Sequence, residues 1–288
     1  MPKLGPGMAA LSGLVLMALP ACGAATGGTA GAHQRSRPAT SRPAASPAGR
    51  HQPGRRGNGH QPARGDEFRQ PLAGKVVGID PGHNGGNAAD PGYIGHLIWN
   101  GAEMEPCDTT GTQTDAGYTE PRFTFAVARL LRADLVAAGA RVVMTRSTNH
   151  GVGPCVNRRA QILNAAHADV AIDIHADGGP AWGRGFTVLE PVADGPNDAI
   201  IGASGRFGLA VRRALLAGTP MPVSDYYGRN GIQARNDLAG LNLATEPKVL
   251  IECGNMRNAT DARLLTSPGF QQQLARALAA AIITFLTR

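Results

Sequence analysis

The sequence predicts a single α/β domain, with a mainly parallel or mixed twisted sheet covered by helices on both faces. Three observations carry that expectation. From Lys75 onward, short apolar runs of strand character alternate with longer stretches of helical period. Such alternation sets parallel strands side by side with helices packed over them. It continues to the chain end at Arg288 without an internal repeat, and that length can bury a real core without relying on disulfides.

Each element has its own local reason. Residues 75–79 form an apolar run stopped by Asp80-Pro81-Gly82, where Pro fixes φ and Gly supplies angles that other residues avoid. Residues 84–117 are polar and glycine-rich, too long for an ordinary connection and of a kind that is usually functional or mobile. Thr119-Glu120-Pro121 reads as a helix start with Pro in the first turn. The helix carries Phe123, Val127, Leu130, Leu131 and Leu135 on one stripe and ends near Gly139. A strand over 141–145, a helix over 156–167 and a strand over 169–175 follow. Next come a strand over 185–189 and a helix over 197–217, its opening weakened by Gly202 and Gly205. Two short strands are expected near 222–226 and 231–234. The last strand is 248–252 and the last helix 268–286.

The N-terminal quarter is different in kind. Residues 1–25 carry one basic residue, Lys3, then an apolar run and small residues after Pro20, a secretory signal pattern too short for a comfortable membrane span. Leu19-Pro20-Ala21-Cys22 also resembles a lipobox, but Pro20 fits it poorly, so plain secretion is preferred to lipidation at Cys22. Residues 26–72 are rich in Gly, Ala, Pro, Ser, Arg and His, with Phe68 the only large apolar side chain before Gln70. That composition cannot offset its ordering entropy and predicts a disordered linker, leaving 73–288 as the folded domain.

Charge divides along the same boundary. Of 28 Lys and Arg, Lys3 and eight arginines precede residue 71, as do two of 21 acids, Asp66 and Glu67, so 19 of each sign remain and the folded part is formally neutral. A basic tail could touch acidic wall polymers or lipid headgroups by non-specific attraction, giving a peripheral membrane contact beside the lipid-anchored one that Cys22 would give, but a solubilising tether is the preferred reading. Nothing argues for nucleic-acid recognition. In an exported chain disulfides are permitted. Cys107 lies in the long loop and Cys155 beside a helix start, whereas Cys253 ends an apolar strand and reads as a small buried hydrophobe. A Cys107–Cys155 disulfide is therefore expected.

Chemistry-bearing residues fall at equivalent places. His83 follows the first strand, His175 ends the third and Glu252 ends the last. In a parallel sheet those strand ends share one edge, so the side chains can converge there. Glu120, at a helix start after the long loop, can face the same edge. Two imidazoles and one carboxylate form a known ligand set for a catalytic zinc, and a second carboxylate would act as general base. Each residue also has a plainer reading: His83 a solvated loop histidine, His175 a satisfied core histidine, Glu120 a helix-dipole partner. Glu252 is hardest to dismiss, because a carboxylate after Val249-Leu250-Ile251 is costly to bury unless paired.

Four motifs resemble the zinc-dependent N-acetylmuramoyl-L-alanine amidases of bacterial cell-wall turnover, the Amidase_3 type. They are Gly78-Ile79-Asp80-Pro81-Gly82-His83-Asn84-Gly85-Gly86, Glu120 at its helix start, Arg159 to Asn164 followed by Ala168-Asp169 and His175-Ala176, and Val249-Leu250-Ile251-Glu252 with Gly254 and Asn258. Order and spacing agree over nearly the whole folded part. The resemblance implies that His83, Glu120 and His175 hold Zn²⁺ and that Glu252 activates the attacking water. The implied reaction cleaves the amide between the lactyl group of N-acetylmuramic acid and L-alanine of peptidoglycan, in wall turnover or remodelling. The signal pattern predicts export to the periplasm, cell envelope or exterior, which agrees with such a substrate, and a monomer is expected. Asp177 and Cys253 stand where the family often has other residues, and no wall-binding repeat is recognisable. Three alternatives remain beside this reading: a zinc peptidase cutting wall crosslinks, a non-catalytic wall-binding protein on the same scaffold, and a glycosidase built on Glu120 and Glu252, which would leave both histidines without a role.

Overall fold

Packing begins at Leu72, which is fully buried and donates its backbone N–H to the Ala138 carbonyl. The computed structural model describes residues 70–288. The expected signal segment, the Cys22 lipid site and the linker up to residue 69 lie outside the described residues.

Strand β1 (Val76–Pro81) leads into the long loop, which is not structureless. It folds into a single 3₁₀ turn, a five-residue helix α1 (Pro91–Gly95) and a hairpin of β2 (Leu97–Trp99) and β3 (Met104–Pro106). Asp90 caps α1 by accepting from the Tyr93 N–H. The Cys107–Cys155 disulfide forms as expected and packs with Ile98 and Ala239 in a small satellite core. The loop thus gains order from a crosslink and a patch of apolar surface, neither of which leaves a periodic trace in sequence.

Helix α2 (Glu120–Ala137) buries the predicted stripe, with Phe123, Val127, Leu131 and Leu135 inaccessible to solvent. Gly139, at φ 97°, turns the chain out of it. Then come β4 (Arg141–Met144), α3 (Val156–Ala165), β5 (Val170–Asp177) and β6 (Thr187–Pro191). Helix α4 (Ile201–Gly218) follows a 3₁₀ turn, later than the predicted start at 197. After it come β7 (Ile232–Arg235), α5 (Ala239–Asn242), β8 (Lys248–Asn255), α6 (Ala259–Leu265) and α7 (Pro268–Leu286). The strand expected near 222–226 reduces to one bridge, Phe186 to Val223. Pro222 has no N–H to extend a ladder, and the Ser224 hydroxyl instead accepts from the Tyr226 and Tyr227 N–H groups in a turn.

One six-stranded sheet has the order β4-β1-β5-β8-β6-β7. The first four strands are mutually parallel, and β6 runs antiparallel to β8 with β7 parallel to β6, so the sheet is mixed. Helices α2, α4 and α7 cover one face, where Ile79, Ile172, Ile174, Val249 and Ile251 meet Phe123, Leu131, Phe207 and Leu278. Helices α3 and α5 lie over the other. Alternation along a strand then decides function: on β5, Ile172 and Ile174 enter the large core while Asp173 and His175 face the α3–α5 side. On β8 the same rule puts Leu250 and Glu252 on that side.

Candidate metal centre

Two arginines hold the Asp80-Pro81-Gly82 turn at the carboxyl edge of the sheet. Arg146 donates to the carbonyls of Pro81 and Pro121, and Thr124, itself bonded to the Gly82 carbonyl, ties the turn to the start of α2. Arg159, buried on α3, pairs with Asp80 at 2.8 Å and also donates to the Pro81 carbonyl. Burial pushes the Asp80 carboxyl up, but Arg159 and Lys248 outweigh it and hold it at about 2. His83 emerges from this turn at φ 56°, a region rare for a residue with a side chain.

Glu120 enters from the first turn of α2 and lies between the two imidazoles. Its Oε1 is 2.9 Å from His175 Nδ1 and its Oε2 is 3.3 Å from His83 Nε2. The same oxygens accept from the backbone N–H groups of Ala176 and Thr112. Burial opposes the ionised carboxylate, yet His83 and His175 together draw it well below the usual carboxylate range. The rings of His83 and His175 meet edge to face at 4.9 Å. One donor atom from each of His83, Glu120 and His175 lies within 4.8 Å of the others.

Space for this cluster is made by glycines. A Cβ on Gly82 would lie 2.3 Å from the His175 ring, and one on Gly111 would lie 2.7 Å from Glu120 Oε2 and 2.8 Å from His83 Cδ2. Gly111 also has φ 70°, so both its backbone and its missing side chain are required.

Glu252 is the registered partner of His175 across β5 and β8. Its Oε2 is shielded from solvent and has no hydrogen-bond partner among the described residues. Burial, with Glu120 and Asp177 nearby, pushes its carboxyl well above the ordinary range. Tyr226, which donates to Asp177, closes one side of this region. A cleft of about 440 Å³ joins all four residues, with Glu105 and Pro106 of the hairpin and Leu238 and Ala239 as its farther walls.

The four residues expected from sequence therefore come together. Sequence reading missed Asp108, which accepts from His83 Nδ1 at 2.9 Å while Arg159 donates to its other oxygen at 3.0 Å. Its only trace in sequence is its place beside Cys107. A buried pair beneath the cleft, Lys248 and Asp173 at 3.0 Å, was also not foreseen. A second cluster, His96 with Cys107 and Cys155, has its sulfurs committed to the disulfide.

Burial draws the His83 imidazole down, but Glu120 and Asp108 outweigh it and raise it to about 10. A site that would protonate a histidine so strongly is one that accepts positive charge. Two nitrogens and an ionised oxygen converging there suit a divalent cation of borderline softness, the donor set of an open zinc site.

An α/β sheet with two imidazoles and a carboxylate gathered at the carboxyl ends of its parallel strands defines a class, the α/β proteins with a candidate metal site at that edge. Residues 77–284 match the family described as N-acetylmuramoyl-L-alanine amidase, and the chain belongs to that family. An N-acetylmuramoyl-L-alanine amidase of Mycobacterium tuberculosis is 42% identical over 217 residues, 75% of this chain and 88% of that one. The crystal structure of the amidase Ami1 from Mycobacterium smegmatis is 42% identical with a TM-score of 0.70, covering 75% of this chain and 98% of that one. The apo Ami1 of Mycobacterium abscessus is 41% identical with the same TM-score, covering 75% and 100%.

Proposed function

We propose that this chain is a zinc-dependent N-acetylmuramoyl-L-alanine amidase acting on peptidoglycan, with His83, Glu120 and His175 as metal ligands and Glu252 as general base. The observation that carries this reading is the convergence of three donors beside a carboxylate whose Oε2 is shielded and unpartnered among the described residues. Family membership over residues 77–284 supplies the bond that is cut. Zn²⁺ held by His83, Glu120 and His175 would supply Lewis acidity toward the lactyl carbonyl.

The protein's own groups do the rest. Glu252, kept basic enough by its shielded setting, takes a proton from the attacking water and returns it to the leaving nitrogen of L-alanine. Glu120 stays ionised and supplies the negative charge that holds the cation. The cleft between the hairpin and α5 receives the stem peptide. Export fits a substrate outside the cytoplasmic membrane. We place a signal over residues 1–25 and a tether over 26–72 ahead of a catalytic domain at 73–288, acting as a monomer in the envelope or beyond it.

Metal analysis combined with digestion of purified wall fragments tests the assignment. Wild type should carry about one zinc and release free stem peptides. Glu252→Gln should keep the metal and lose roughly 10²–10⁴-fold in rate, the usual reach of general acid–base catalysis. Equal release by both proteins would sink the role given to Glu252.

A further inference from the structure

We propose that Asp108, clamped between the Cys107–Cys155 disulfide and Arg159, is the positioning residue that fixes the tautomer and ring orientation of His83 and thereby the affinity of the metal centre. This rests on the reading of His83 as a metal ligand.

Three oxygens surround His83 Nδ1. Asp108 Oδ1 lies at 2.9 Å and the Thr109 carbonyl at 3.2 Å, with the Thr109 hydroxyl at 3.3 Å. The carboxylate and the carbonyl can only accept, so Nδ1 carries a proton, and Nε2, 3.3 Å from Glu120 Oε2, is the nitrogen left to give its lone pair to a cation bound between them. A ligating imidazole whose second nitrogen donates to a carboxylate is oriented and made more basic by it, and losing such a partner costs about 10–100-fold in metal affinity.

Asp108 is itself held from three sides. Arg159 uses all five of its N–H donors: one to the Pro154 carbonyl, two to Asp80 and the Pro81 carbonyl, and two to the His83 carbonyl and Asp108 Oδ2. One guanidinium therefore fixes both ends of the His83–Asp108 bond, the backbone of the first and the carboxylate of the second. The adjacent Cys107 is bonded to Cys155, the N-cap residue just before α3, four positions before Arg159. The backbone N–H groups of Cys107 and Asp108 donate to His96 and Ile94, and the Cys107 carbonyl accepts from Val156. The crosslink thus joins the loop that carries Asp108 to the helix that carries Arg159. His175 has no comparable second partner among the described residues, so the asymmetry belongs to His83.

The charge pattern makes Asp108→Asn a sharp probe. Arg159 is a charged donor, so the Asn oxygen turns to it in preference to the neutral Thr109 N–H, which Asp108 Oδ1 accepts at 2.7 Å in the native chain, and the amide NH₂ faces His83. Nδ1 then has to accept, the ring proton moves to Nε2, and the lone pair needed by the metal is lost. Asp108→Ala removes the carboxylate without imposing that tautomer, because the Thr109 carbonyl at 3.2 Å can still take the Nδ1 proton.

The experiment is a zinc titration of the full-length protein by competition with a chromophoric chelator, on wild type and both variants, with ¹⁵N shifts of the histidine rings recorded on the zinc-loaded wild type. The expected order of affinity is wild type, then Ala, then Asn, with Asn weaker than wild type by at least tenfold. A purely structural role predicts the reverse order, with the smaller side chain more harmful, and that order or an unchanged Asn variant overturns the proposal. Should the variants fail to fold, the wild-type spectrum decides it: protonation of His83 at Nδ1 is required, and protonation at Nε2 overturns it. A Cys107→Ser/Cys155→Ser double variant, which lacks the crosslink and leaves no thiols at that place to bind zinc, is expected to bind zinc several-fold more weakly than wild type, and no change overturns the role given to the crosslink. If wild type itself takes no zinc, the fault lies in the ligand assignment and not in Asp108.

Discussion

At the scale of single residues, the site is built as much by what is missing as by what is present. Gly111 sits where any Cβ would strike Glu120 and His83, and its φ of 70° excludes most side chains. Gly111→Ala should therefore cost roughly 1–2 kcal/mol in backbone strain and displace the carboxylate from its place between the imidazoles. Chelator competition should show weakened zinc, and a variant with wild-type affinity would mean that the loop can move aside without disturbing the ligands. Glu252 makes the opposite case. Its shielded carboxylate is a cost to the fold, so Glu252→Gln should melt at the same temperature as wild type or higher while activity falls. The four candidate site residues were legible in sequence because each follows a local signal, a strand end or a helix start. Asp108 and the grip of Arg159 were not, since those contacts join positions 25 and 51 residues apart and no periodicity records a pairing between loop and helix.

At the scale of elements, the carboxyl end of β1 is fixed by charge. Asp80 stays ionised down to about 2 through Arg159 and Lys248, although burial works against it. A depressed carboxyl contributes stability that is present above its unfolded value near 3.8 and lost as pH falls through its folded value. The shift corresponds to about 2 kcal/mol at most. Denaturant unfolding should thus show stability falling between about pH 4 and pH 2, and an Asp80→Asn variant should lack this share of the loss. A wild type whose stability is flat over that window would contradict the pairing. The strands and the helices α2, α3 and α7 were readable because each obeys a clear hydrophobic period. The hairpin of β2 and β3 was not, because it is held by the disulfide and the Ile98 patch and not by alternation. The region 222–226 looked like a strand but made only one bridge, which Pro222 does nothing to extend.

At the scale of the whole molecule, the mixed sheet brings residues from β5, β8, the start of α2 and the turn after β1 to one edge. Those segments are far apart in the chain, so a cation held by His83, Glu120 and His175 would couple three of them to global stability. Zinc at 100 times its dissociation constant should add about 2.7 kcal/mol. Thermal melting with and without chelator should show a clear downward shift on metal removal, and coincident melts would contradict metal binding by the folded state. Among the described residues no helix is long and apolar enough to cross a membrane. The central claim is tested most directly by digesting wall fragments in ¹⁸O-labelled water and analysing the products by mass spectrometry. Hydrolysis at the lactyl amide predicts one labelled oxygen in the lactyl carboxylate of peptide-free muramic acid, together with stem peptides bearing a free L-alanine amine. Label in a peptide carboxylate, with the sugars still carrying their peptides, would contradict it.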